Sequence, residues 1–316
     1  MPPRPGRYGG SLRNSGDMKD KRRKTRRSVP SLVVLLLPWA VVYGAFFVFP
    51  FVFSFVLAFL HYNPLSAHAA SWAGLENFAR LFGDERFLRT LRNTLFFVAG
   101  TVPVTTAAAL GIALLLRGRI PAKGAFKAGF FLPSIMSAVV ISLLFKLFYA
   151  PNGGLNHALS FLGVVGHGWL TDPRTALPAI MVMDVWAAVG YYAIIFDAAF
   201  AGIPKEFYEA ASLEGAGFKD TLRFVTLPAL GPVIAFVLVI NTIRSFQIFI
   251  EVFVMTQGGP LGATDTLVLY VYESAFRNLD YGYASALAYA VFVLSGVFSI
   301  VAMRRFRPRL GSGGGG

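Results

Sequence analysis

Residues 209–230 read EAASLEGAGFKDTLRFVTLPAL, a polar, small-residue-rich stretch set between two apolar runs of membrane length. It is too polar to cross a bilayer, yet it is punctuated like folded structure. Pro204 has the fixed φ suited to a first helical position, and residues 205–214 hold good helix formers with no breaker. Gly215 ends that run as the residue just beyond a helix C-terminus. Phe207, Ala210 and Ala211 fall at i, i+3 and i+4 and form one narrow apolar face. Ala210, Ala211, Gly215 and Gly217 are all small, so a partner surface can come close to the backbone. A second short helix over 218–225 puts Phe218, Leu222 and Val225 on one side, and Pro228 opens the next apolar run in its first turn. The stretch predicts a rigid elbow between two membrane spans.

The rest of the chain supplies those spans. Of 316 residues, 55% are hydrophobic and only 14% charged, which exceeds the apolar share of soluble domains. The fold class expected is all-α, an integral membrane bundle. Six apolar runs of about twenty residues or more lie at 32–60, 95–116, 125–148, 176–201, 228–254 and 283–303. Pro38 and Pro50 make the first run, longer than one crossing needs, tilted or kinked. Residues 1–30 are a Gly/Pro/Arg-rich tail with too few apolar residues to pack, and Met18 is a candidate start. Residues 306–316 form a second tail whose GSGGGG reads as an expression scar. The membrane domain is then 31–305, with the elbow at 203–228.

Charge placement gives an orientation. Ten Lys/Arg residues precede the first span, Arg117, Arg119, Lys123 and Lys127 bracket the second connection, and Arg304, Arg305, Arg307 and Arg309 follow the last span. Connections 61–94 and 149–175 hold four and one. The positive-inside rule puts both termini and the elbow in the cytoplasm. The net charge of +13 reads as topology and attraction to anionic lipid. No aromatic interleaving accompanies the basic arm, so nucleic acid is not an expected partner. The absence of cysteine removes disulfides, thiol nucleophiles and iron–sulfur clusters, and His61, His68, His157 and His167 lack zinc-hydrolase spacing, so no metal is expected.

The fifth span is broken by polar residues. Asn241, Arg244 and Ser245 share one helical face, with Gln247 just off it. A charge at mid-membrane is disfavoured by roughly 2.5–3.5 kcal/mol on insertion scales, so Arg244 faces the bundle interior or a wet cavity. It needs either an acid, for which Asp184 in the fourth span is the nearest internal choice, or an anionic ligand.

The elbow resembles the EAA loop of the membrane subunits of ABC importers: Glu-Ala-Ala, three residues, Gly, nine residues, Ile-x-Leu-Pro. Glu209, Ala210, Ala211, Gly215, Leu227 and Pro228 match, Val225 replaces the isoleucine, and Glu214 stands where aspartate is usual. WAGLENFARLF from Trp72, PNGGLN from Pro151, SFQIFIEVFVMTQGGP from Ser245 and TDTLVLYVYESAFRN from Thr264 look like the sugar-importer branch of that family. The resemblance implies a type I importer permease fold of six spans. It implies that the loop's first helix docks, through Glu209, Ala210, Ala211 and Gly215, in a cleft of a separate ATP-hydrolysing subunit. ATP and magnesium belong to that partner, because this chain has no Gly-Lys-Ser/Thr phosphate loop and is not expected to be an enzyme. The remaining partners implied are a second, non-identical permease, a dimer of ATP-binding subunits and an external solute-binding protein received by loops 61–94 and 255–280. The setting is a bacterial or archaeal inner membrane.

The same resemblance puts substrate contacts at Gln247 and Ile248, beside Arg244 and Asn241, and an aromatic contact near Trp186, Gly190 and Tyr191. Aromatic faces and amides suit sugars, whose rings offer an apolar C–H face and many hydroxyls. Neutral di- or oligosaccharides and anionic derivatives such as glycerol 3-phosphate both remain open as cargo. Other readings of the chain are an interfacial amphipathic helix at 205–214, a secondary transporter, which an internal repeat would mark, and a membrane enzyme, which a nucleophile–base pair would mark. Neither mark is found.

Overall fold

The computed structural model describes residues 28–65, 70–118, 121–163 and 166–306, without side chains at 28–33 and 305–306. The basic arm, the C-terminal tail, His68 and Arg119 lie outside them. The chain divides between Ser54 and Phe55 into two units. The first contains α1, Ser28–Tyr43, the π turn Gly44–Val48 and the start of α2, Phe49–Leu57. Its described side chains are nearly all exposed, and Trp39, Tyr43 and Phe47 stack at four-residue spacing with ring centroids 5.1 and 5.3 Å apart. The π turn ends just before Pro50. The Phe49 N–H reaches back to the Gly44 carbonyl, which makes room for a residue that has no N–H to donate.

The second unit begins with a short hairpin, β1 (Leu60–His61) antiparallel to β2 (Ser71–Trp72), with Leu60 opposite Trp72. Then come α3 (Glu76–Gly83), α4 (Glu85–Leu116), α5 (Lys123–Ile135), α6 (Ala138–Phe148), α7 (Gly154–Ser160) and α8 (Ala176–Ala201). The elbow holds α9 (Lys205–Leu213) and α10 (Phe218–Asp220), followed by α11 (Leu227–Phe246), α12 (Ile250–Met255), α13 (Leu267–Tyr272) and α14 (Tyr281–Phe306). Among the described residues five helices are long and apolar enough to cross a membrane. A sixth crossing exists if α5 and α6 count as one.

The run 125–148, expected as a single span, is therefore corrected to a bent pair, turned by 100° at Met136 and Ser137. Pro133 removes an N–H from the last turn of α5, and the next residue, Ser134, ties this turn to α8. Its hydroxyl donates to the Ala187 carbonyl at 3.0 Å and accepts the Tyr191 N–H at 3.0 Å. The core is built mainly by α4 against α8 and by α11 against α14. Ala109 and Ala113 of α4 meet Ala188, Val189 and Ala193 of α8, small residues that let the backbones approach.

One end of the bundle is held by charge and phenol contacts that the apolar runs do not reveal. Arg86 donates to Asp265 at 2.8 Å and to Glu273, which also accepts from Arg277. Asp84 caps α4 through the Arg86 and Phe87 N–H groups and accepts both the Tyr270 and Tyr283 hydroxyls. Burial pushes the Asp84 carboxyl upward, but these donors outweigh it and hold the group below the ordinary carboxylate range. Arg80 pairs with Asp280 at 2.8 Å over the Tyr283 ring.

Gly190 marks the tightest helix contact. A Cβ there lies 1.8 Å from the Phe130 carbonyl oxygen and 3.1 Å from the Phe131 Cα, and both are backbone atoms. Gly190→Ala is expected to force α5 from α8 and to destabilise the protein by about 1–3 kcal/mol. Gly296→Ala, whose Cβ meets nothing within 4 Å, serves as the control in a detergent thermal melt.

Candidate functional site

The elbow forms one candidate surface. Pro204 starts it in an extended conformation, and α9 runs to Leu213 with none of its residues buried. The Ala216 N–H bonds to the Ala211 carbonyl at 2.9 Å and the Gly215 N–H to that of Ser212 at 3.1 Å, which closes the helix around Gly215 at φ +76°. Glu209, Ala210 and Gly215 are exposed and Ala211 is half-buried, with Phe207 and Leu213 open beside them. The opposite side of α9 is tied down. The Arg117 guanidinium, at the end of α4, donates to the Tyr208 hydroxyl at 2.8 Å and lies over the rings of Phe200 and Tyr208.

Beyond Gly215 the structure departs from the expected separate helix over 218–225. α10 passes through a π turn, Thr221–Thr226, straight into α11. The Leu227 N–H reaches the Leu222 carbonyl, so Pro228 sits inside a continuous helix without a clash. The elbow has one stop, not two.

The second candidate surface is inside the bundle. α11 ends at Phe246, the backbone breaks across Gln247, Ile248 and Phe249, and α12 follows. Two cavities flank this break. One, of about 630 Å³, is lined by Asp184, Arg244, Gln247, Ile248 and Glu251 among others. Its neighbour, of about 250 Å³, is lined by Ser134, Tyr191, Tyr192, Arg244 and Glu251 among others. Arg244 grips Asp184 with both arms of its guanidinium, one of them at 3.3 Å. Asp184 is 1% exposed and Arg244 37%. The arrangement offers an amide, a phenol and hydroxyls to a solute, with a locked ion pair behind them.

Residues 107–312 match the family described as the binding-protein-dependent transport system inner membrane component. The chain belongs to that family. It is similar to the lactose transport system permease protein LacF of Rhizobium radiobacter, 32% identical over 282 residues that cover 87% of this chain and 94% of the relative. Similarity to the trehalose/maltose transport system permease protein MalF of Thermococcus litoralis is 32% over 278 residues, covering 87% and 93%. The fold is that of a bacterial ABC transporter involved in the import of the acidic polysaccharide alginate, with TM-score 0.78 over 93% of this chain and 99% of that one at 24% identity. The protein is thus a multi-pass permease subunit of a binding-protein-dependent ABC importer in the inner membrane, a transport component and not an enzyme.

Within this permease the expected solute contacts separate. Gln247 is exposed at the larger cavity, Ile248 lines it although 4% exposed, Arg244 lines both cavities, and Tyr191 lines the smaller one. Asn241 points elsewhere. It is fully buried against α4, where its amide donates to the Val102 carbonyl at 3.4 Å. Gly190 is buried under Phe130, and Trp186 packs on Phe145 with centroids 5.2 Å apart and lines neither cavity. Sequence reading passed over Glu251, an acid within the apolar run QIFIEVFVM, and Tyr208, the inward residue of α9. The acid was visible as a charge in a span. The role of Tyr208 depends on Arg117, far away in sequence.

The exposures predict unequal effects of splitting the ion pair. Arg244→Gln strands a fully buried carboxylate and is expected to destabilise the permease by about 3–5 kcal/mol. Asp184→Asn leaves a guanidinium that water can reach and costs less, and the double change recovers part of the loss. Thermal melts of the three variants in one detergent check the order.

Proposed function

We propose that this chain is one of two unlike permease halves of a carbohydrate importer, with both termini and the elbow in the cytoplasm. Its Glu209–Gly215 segment seats in an ATP-hydrolysing subunit, and a solute-binding protein delivers cargo at the opposite end. The single observation that carries the coupling role is α9 itself: Glu209, Ala210 and Gly215 face outward, with Ala211 half-buried, while Tyr208 and Arg117 anchor the helix from behind.

The delivery role is supported at the other end of α4. There His61, Tyr62 and Arg80 meet Tyr270, Ser274, Asn278 and Asp280 around a polar hollow of about 490 Å³. These residues come from the two loops expected to receive the binding protein. The carbohydrate reading rests on relatives named for lactose and for trehalose/maltose. The alginate importer shares fold and not enough sequence to lend its cargo. Because the Arg244 fork is already occupied by Asp184, the guanidinium is not free to clamp a carboxylate or phosphate, which favours uncharged cargo over an anionic sugar derivative.

Gly215 provides the test. Its surroundings are open, with nothing within 4 Å of an added Cβ, so a substitution there acts only through the backbone. Gly215→Val in the complete importer is expected to strain the stop by about 1–2 kcal/mol and to lower sugar-stimulated ATP hydrolysis and vesicle uptake together, with assembly intact. Gly215→Asn, which tolerates the left-handed region, retains more of both. Wild-type coupling in Gly215→Val sinks the assignment.

A further inference from the structure

The charged groups lining the two cavities beside Gln247 are Asp184, Arg244 and Glu251, with no lysine or histidine among them. Asp184 and Arg244 cancel one another in a bidentate pair. Glu251 has no such partner: among the described residues no ion pair includes it, and it is half-buried while lining both cavities. Its place is fixed by its neighbours. Val252 and Met255 on the same short helix are buried in the core with Phe97, Ile180, Met183 and Leu269, which holds the adjoining Glu251 face at the break. A membrane-embedded carboxylate kept without a counter-ion is costly and marks a solute or ion route.

We propose that Glu251 is a charge-selecting residue of the solute path, giving both cavities a net negative lining that admits neutral and cationic glycosides and repels polyanionic ones. This rests on the reading that the cavities belong to the carbohydrate path. With the Asp184–Arg244 pair neutral overall, the field between the apolar walls is set by the remaining carboxylate, which acts across the cavity. Asp184 sharpens the effect, because it occupies Arg244, the one cation among the described lining residues. An amino sugar gains a favourable partner in Glu251, a neutral sugar a hydrogen-bond acceptor, and a uronate a like charge with no compensation.

The chain has no cysteine, so Gln247→Cys places a single thiol of this chain at the cavity. In the complete importer, its labelling rates with trimethylammonium-ethyl and sulfonatoethyl methanethiosulfonate are read from the intact mass of this chain. Each rate is divided by that of a small thiol in solution. Both reagents attack the same thiolate, so their ratio removes any change in its own ionisation. The expected preference for the cationic reagent is about fivefold, falling to about one in Glu251→Gln, surviving in Glu251→Asp, and shrinking toward one as salt is raised. Equal or faster anionic labelling, or a preference indifferent to both Glu251→Gln and salt, overturns the proposal. If Glu251→Gln does not assemble, the salt series on Gln247→Cys alone decides. Labelling needs no cargo, so a charge preference in Gln247→Cys beside an unmutated complex that takes up no sugar overturns the carbohydrate reading and leaves the filter standing.

Discussion

Hydrocarbon offers no solvent to a polar group that has lost its partner, and a single stretch of α8 engages polar groups beside two of the bundle's breaks, after α5 and after α11. Over two turns, Asp184 holds Arg244 just before the break after α11, the Ala187 carbonyl and the Tyr191 N–H engage Ser134 before the bend after α5, and Gly190 admits the Phe130 backbone. The cavities beside Gln247 lie where α11 breaks, against this stretch of α8.

Most of the architecture was legible in the chain because its determinants are local. Apolar runs mark the spans, and the Gly215 stop follows from one residue's freedom at positive φ. The bend at Met136 and Ser137 escaped because Pro133 alone does not set its angle. The Ser134 contacts that hold the end of α5 against α8 lie some fifty residues away in sequence. The continuity through Pro228 escaped for another reason. A proline at the head of an apolar run normally reads as a first turn, and only the π turn upstream shows that the helix has already begun.

The interior site was partly legible. Arg244 announced itself as a charge in a span, and its partner Asp184 followed from needing an acid at similar depth. Asn241 shares a helical face with Arg244 by spacing, yet a bundle interior has several directions, and Asn241 turns to the Val102 carbonyl while Arg244 turns to the cavity. Helical periodicity resolves faces to about 100° per residue, which is too coarse to tell a helix interface from an adjoining cavity. The charge and phenol cluster around Asp84, Arg86 and Asp265 joins residues nearly two hundred positions apart and left no local signature.

The uninterrupted helix from α10 through the π turn into α11 puts the elbow and the larger cavity at two ends of one helix. From Phe218 to Arg244 it measures about 39 Å at 1.5 Å per residue, so a tilt of about 5° applied at the loop moves the far end by about 3 Å. That is the scale of a hydrogen bond made or broken. A hinge at Pro228 would have absorbed the motion where it entered. Without a break at Pro228, a displacement of the elbow is carried along one helix to Arg244 at the cavity, bent only where the π turn and Pro232 allow.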